Sequence, residues 1–172
     1  NYCVYGIINW LPIYFTEARG VDFSALTYAA AAPYAAGFFS FVLYAYLGDK
    51  TNRRILLACV GFFGATLSLF AATVAPSVVL AVVAFSCATF FQTAYISQEF
   101  AILQRILPGA IIGKAAGIYN GCSVLFGAVG GTVMLGQIVS ATGSYDAGLY
   151  SVVAATVTGG FVMFVLSRMV KY

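Results

Sequence analysis

Leu47-Gly48-Asp49-Lys50-Thr51-Asn52-Arg53-Arg54 interrupts two long apolar runs. Its positions 49–54 hold four of the charges that eight basic and five acidic residues supply to the whole 172-residue chain. About 20 membrane-compatible residues flank it on each side, so the stretch reads as a tight loop between two spanning helices. The order within it is acid, base, spacer, Asn, base, base.

Composition supports that reading. The chain is 62% hydrophobic and 8% charged, which leaves too little polar surface to coat a water-exposed sphere. The net charge of +3 comes with no basic stripe, so no nucleic-acid partner is expected. The absence of histidine excludes His-based triads, general bases and zinc chemistry from this chain. No paired acid and base or metal-ligand set replaces them, so neither enzyme activity nor a cofactor is expected. Cys3, Cys59, Cys87 and Cys122 all fall inside apolar runs without metal or redox spacing, which predicts buried, inert thiols. Asn1-Tyr2-Cys3 opens inside an apolar stretch with neither an initiator Met nor a signal-peptide layout, the expected look of the C-terminal portion of something longer.

The fold class expected is an all-α membrane protein, a single six-helix transmembrane domain over 1–172. The spans are 1–16, 24–47, 55–74, 77–98, 115–139 and 147–169, and all but the first reach the roughly 20 residues that a bilayer core demands. Breakers separate them: Gly20-Val21-Asp22, the charged loop 48–54, Ala75-Pro76-Ser77, Pro108-Gly109 and Thr142-Gly143-Ser144-Tyr145-Asp146. The long connector 99–114 sets Phe100, Ile102, Leu103, Ile106 and Leu107 around Arg105, a pattern suited to an amphipathic turn along the membrane surface.

Bases sort by connector. Lys50, Arg53 and Arg54, then Arg105 and Lys114, then Arg168 and Lys171 fall on one side, and Arg19 alone on the other. Such asymmetry predicts that loops 48–54 and 99–114 and both termini are cytoplasmic, with Asp22 and Asp146 outside. A multi-pass protein of the cell membrane follows, with the lipid bilayer as its first partner.

No span carries an Asp, Glu, Lys or Arg near its middle, so intramembrane charge for a proton relay or an ionic substrate must come from elsewhere. What the spans offer is neutral polarity. Ser86, Thr89, Thr93 and Ser97 recur at helical spacing, either lining a cavity or bonding their own helix. Gln92 is more telling, since a buried carboxamide needs several partners. Tyr5 and Asn9 share one face of the first span, while Trp10 and Tyr14 share another and suit either a cavity or an interface belt. Pro33 and Gly37 mark a kink beside Tyr34, with Tyr44 further along. Gly113, Gly117 and Gly121, then Gly127 and Gly131, are spaced by four, which allows close helix packing. Asn120, followed one turn later by Ser123, is the strongest polar group on that span and the first candidate for touching a substrate. Asn9, Gln92, Tyr5, Tyr34 and Thr89 rank behind it.

The loop resembles the Gly-x-x-x-Asp-(Arg/Lys)-x-Gly-(Arg/Lys)-(Arg/Lys) signature of the major facilitator superfamily of secondary transporters. Asp49, Lys50, Arg53 and Arg54 fit it, while Ala45 and Asn52 stand where glycines are usual, as in the second copy of that loop between helices eight and nine. The resemblance implies a conformational latch formed by Asp49, Lys50, Arg53 and Arg54, with Asp49 facing a helix N-terminus. Asn9-Trp10-Leu11-Pro12-Ile13-Tyr14-Phe15 is similar to the seventh helix of the anion:cation symporter family. Gly113-Lys114-Ala115-Ala116-Gly117-Ile118-Tyr119-Asn120 and Ala141-Thr142-Gly143-Ser144-Tyr145 resemble its eleventh helix and the loop after it.

By that resemblance the chain is helices seven to twelve of a transporter whose N-terminal six-helix half is missing. Its implied cargo is a small organic anion, such as a sugar acid or other carboxylate, moved with H+ or Na+. Asn120 falls where relatives contact substrate. Families for phosphorylated sugars and for drug efflux share the layout. The alternatives are thus an exporter or antiporter of a neutral or cationic compound, and a non-transporting membrane scaffold that uses the glycine seams for assembly.

Overall fold

A computed structural model describes residues 1–169; Lys171, counted with the basic tail, lies outside them. Among the described residues the chain is helical throughout, with short connectors and no strand. Helix α1 (Tyr2–Ile13) runs into a π-helical turn at Tyr14–Ala18. Then come α2 (Phe23–Thr51), α3 (Arg54–Thr73), α4 (Val78–Ile96) and the short α5 (Glu99–Ile106). Helix α6 (Ile112–Cys122), a π-helical segment at Ser123–Val129 and α7 (Gly130–Thr142) form one rod, and α8 (Tyr145–Met169) closes the described chain. Five rods are long and apolar enough to cross a membrane, and α1 with its π-helical turn makes a shorter sixth. Phe38, Phe39, Leu67, Val79 and Phe126 are each at least 67% exposed, an apolar exterior that suits lipid and not water.

The connectors are set by local chemistry. Asn52 ends α2 in the left-handed region at φ 57°, which Asn tolerates better than other side chains, and so it fills a position where glycine is usual. Ser77 starts α4 by accepting the Leu80 N–H. Arg19, the lone base opposite the loop, donates to the Ala75 and Ala72 carbonyls at 2.8 and 3.2 Å. A cation at the C-terminal end of α3 meets the negative pole of that helix, so structure accounts for this base.

The main core lies where α1, α3, α4, α7 and α8 meet, around Leu11, Tyr14, Phe15, Leu69, Phe85, Leu135 and Val152. Tyr14 is 2% exposed, and its ring meets Phe85 edge-on at 5.5 Å. It is a core residue and not the interface anchor or cavity group that its apolar surroundings allowed. Trp10 packs at 6.3 Å from Tyr145. A second cluster near the charged loop joins Ile55, Ala58, Cys59, Ile102 and Met163. The connector 99–114 therefore holds a formed helix, α5, pinned by the buried Ile102 with Gln104 and Arg105 outward.

Two expectations about small residues change. Cys3 and Cys59 are buried, but Cys87 and Cys122 are exposed on the apolar exterior. Hydropathy cannot separate a protein interior from a lipid-facing surface, since both select apolar side chains. The glycine series also divides. A Cβ at Gly131 would meet the Tyr2 ring at 2.5 Å and one at Gly127 would meet Asn1, so these two seat α1, whereas Gly113, Gly117 and Gly121 have nothing within 4 Å. The second group packs against no described part of this chain.

Candidate functional site

Helices α1, α2 and α4 line a partly open cavity of about 210 Å³. Helix α1 contributes Val4, Ile7 and Ile8, α2 contributes Tyr34 and Gly37, and α4 contributes Thr89, Gln92, Thr93 and Ile96. Gly37 sets the depth of the α2–α4 contact, because a Cβ there would lie 2.9 Å from the Thr89 methyl. Ser40, fully buried, ties the same two helices by donating to the Phe90 carbonyl.

Gln92 is the chemically distinctive wall residue. It is 3% exposed, and its Oε1 meets no hydrogen-bond donor of the protein. A buried acceptor left in that state costs about 1–3 kcal/mol, so the position favours a donor brought by something else. Thr89 and Thr93 spend their hydroxyl protons on their own helix, on Phe85 O and Thr89 O at 3.0 Å each. Ser86 and Ser97 do likewise, to Val82 O and Ala94 O. The expected hydroxyl stripe is therefore satisfied internally, and it offers the cavity methyls and spare lone pairs. Tyr34 is 43% exposed and donates only a long 3.5 Å bond to Ile8 O.

The other sequence candidates fall elsewhere. Asn9 is exposed and donates to Thr132 Oγ1 at 3.1 Å, a tie between α1 and α7. Tyr5 is half-buried and does not line the cavity. Asn120 is exposed on α6, whose eleven residues include no buried one. The expected narrow surroundings of Asn120 are open, since Gly117 and Gly121 face empty space. A π-helical turn follows at Ser123–Val129, a local irregularity of the kind that often adjoins functional positions. The six candidates thus split into three at the cavity (Gln92, Tyr34 and Thr89) and three on other surfaces.

At the charged loop a polar chain runs through the bundle's end. Asp49 pairs with Arg54, Arg54 donates to Gln98 Oε1 at 2.8 Å, and Gln98 Nε2 donates to Tyr44 O at 2.6 Å. Gln98 is fully buried, and a Cβ at Gly48 would sit 2.2 Å from its Oε1, so only glycine admits this carboxamide. Arg105 donates to Asn52 Oδ1 at 2.5 Å and ties α5 to the loop. Lys50 lies 5.7 Å from the Tyr46 ring, and Arg53 is exposed. The four expected latch residues therefore do different things: Asp49 and Arg54 bind each other, while Lys50 and Arg53 face outward.

Sequence reasoning missed Gln98 and Glu99. Tyr119 donates to Glu99 Oε2 at 3.1 Å and also bonds the Tyr95 hydroxyl, so a carboxylate and two phenols join α4, α5 and α6. The available signal was Glu99 standing one helical repeat of four from Tyr95, in a connector read only for its apolar side. Among the described residues no three His, Cys, Asp or Glu side chains gather as a metal site.

Comparison with known proteins gives one family-model match, described as Major Facilitator Superfamily, over residues 1–131. The chain is 32% identical over 150 residues to the "Probable sulfoacetate transporter SauU" of Cupriavidus necator, covering 81% of this chain and 34% of that protein. It is 27% identical to the "Probable galactarate/D-glucarate transporter GudP" of Escherichia coli, over 87% of this chain and 35% of that protein. It is 30% identical to the "Probable anion transporter 3, chloroplastic" of Arabidopsis thaliana, over 86% and 30%. The chain thus spans about a third of the length of the curated relatives it matches. No solved structure gives a significant match.

Proposed function

The chain belongs to the major facilitator superfamily, and on that premise we propose that it is the C-terminal half, helices seven to twelve, of an ion-coupled transporter of a small organic anion. The cargo is a hydroxylated carboxylate such as a sugar acid, taken up with H+ or Na+. No covalent chemistry is assigned to it. The observation that carries the reading is the buried, unpartnered Gln92 Oε1 in the wall of the α1–α2–α4 cavity.

The cavity wall is neutral, so it reads hydroxyls and shape and not charge. A hydroxyl of the cargo donates to Gln92, and its carbon skeleton lies against Ile7, Ile8 and Tyr34. Charge neutralisation and ion coupling then belong to the other half, which also covers α6. The bare Gly113–Gly117–Gly121 edge and the exposed Asn120 are where that half would close, with Asn120 at the rim of the shared site. Similarity to proteins named for sulfoacetate, galactarate and glucarate favours an anion over the neutral or cationic compound that an uncharged wall alone allows.

Rocking of the two halves about this site needs a conformational bias at one end of the bundle. Asp49 is 75% exposed even while paired with Arg54, and so it keeps a free oxygen for a helix terminus of the other half. The orientation with this loop in the cytoplasm is supported by seven of eight bases on that side.

The test is Gln92→Leu in the full-length protein. The lost hydrogen bond should raise the half-saturation concentration for a polyhydroxy carboxylate about tenfold, the equivalent of about 1.4 kcal/mol. A deoxy analogue lacking the donor should lose little. Equal half-saturation in variant and wild type for both compounds would remove Gln92 from the site.

A further inference from the structure

Helices α3 and α8 run antiparallel, with Thr66 donating to Thr156 at 2.9 Å and Phe62 lying against Gly159. The start of α3 and the end of α8 therefore share one end of the bundle. Between them opens a groove of about 360 Å³ lined by Arg53, Leu56, Phe164, Ser167 and Arg168. Leu56 and Phe164 each stand about one helical turn deeper than their arginine, roughly 5 Å toward the bilayer centre. The groove is thus basic at its outer end and apolar below.

Among the described residues the two arginines are left without ion-pair partners, since the loop's ion pair goes to Arg54. Arg168 lies over its own helix's Phe164 ring at 5.0 Å, which holds its stem along apolar surface with the charged head at the interface. Arg53 precedes the first turn of α3, where no side chain caps the helix and its positive pole adds to the two guanidinium charges.

We propose that this groove binds an anionic phospholipid, with its phosphate between Arg53 and Arg168 and an acyl chain over Leu56 and Phe164. A free phosphate would satisfy the arginines but leave Leu56 and Phe164 uncovered. A zwitterionic lipid would cover the apolar part and leave a charge excess. The inference rests on the membrane fold and not on which cargo is carried, so its test involves no transported substrate.

The full-length protein is placed in nanodiscs of mixed phosphatidylglycerol and phosphatidylcholine, and the lipid retained after detergent extraction is quantified. Wild type should retain phosphatidylglycerol selectively. Selectivity should fall about fivefold for each arginine removed in R53Q and R168Q, the worth of one base near an anionic surface. The conservative R53K and R168K variants should keep most of it. Unchanged selectivity in the R53Q/R168Q double variant overturns the proposal. So does displacement of the retained lipid by soluble glycerol phosphate, which would make this an anion site and not a lipid site. A photoactivatable phosphatidylglycerol on wild-type protein gives a reading independent of variant folding. Crosslinks to peptides containing Leu56 or Phe164 support the site, and crosslinks confined to other helices overturn it.

Discussion

At Gly48 the chain has room for a hydrogen atom and nothing larger. A Cβ there would approach Gln98 Oε1 to 2.2 Å and its Cδ to 2.8 Å. Gly48→Ala should therefore expel the Gln98 carboxamide from its bonds to Tyr44 O and Arg54. The cost should be about 1–3 kcal/mol, the usual price of overpacking, read as a lowered Tm in detergent. Gly113→Ala, with nothing within 4 Å, serves as the control and should lower Tm little or not at all in the isolated chain. The contrast shows what single residues reveal in a sequence. Gln92 was legible because an amide deep in an apolar run must face a partner. Gln98 was not, because it stands at a helix end where any polar residue reads as connector. Thr89 was half legible: helical spacing places it on the cavity side, but only the 3.0 Å bond to Phe85 O shows that its proton is already spent.

Among the elements, the loop between α2 and α3 was the most legible and the rod of α6 and α7 the least. Charge density alone marks positions 48–54 as the break between two spans. Helix α2 runs on to Thr51 and α3 starts at Arg54, so the turn itself is shorter than expected, and Asn52 at φ 57° explains why it closes without the usual glycine. Periodicity cannot say which glycines of a series face the same chain, so the split between Gly127–Gly131 and Gly113–Gly121 emerged only in three dimensions. The π-helical turns at Tyr14–Ala18 and Ser123–Val129 have no sequence signal we can name. The Asp49–Arg54 pair leads to a prediction at this scale. Asp49 is largely exposed, so the pair adds little to stability, about 0–1 kcal/mol. Asp49→Asn should leave Tm nearly unchanged. It should still shift the resting conformation of the full-length protein, so that transport rate changes more than half-saturation. Unaltered accessibility of reporter cysteines at both ends of the bundle would reduce Asp49 to a solvated loop charge.

Over the whole molecule, composition and span spacing were enough for an all-α membrane fold, because lipid imposes length and apolarity on every crossing. They could not locate the uncovered face at Gly113, Gly117 and Gly121, which on the proposed reading packs against the partner half. Orientation is a whole-molecule property and has its own test. A cysteine replacing Ser144 should react with an impermeant thiol reagent added outside intact cells, and one replacing Thr51 should not; the opposite labelling would invert the topology. The same partner dependence gives the most direct measurement of the central claim, that this chain is one half of an organic-anion transporter. Proteoliposomes loaded with unlabelled glucarate or sulfoacetate are assayed for exchange with labelled compound outside. The full-length protein should exchange one of these anions, and residues 1–172 reconstituted alone should exchange neither, since a shared site needs both repeats. Exchange by the isolated chain would contradict the account, as would a full-length protein that passes a cationic compound and neither anion.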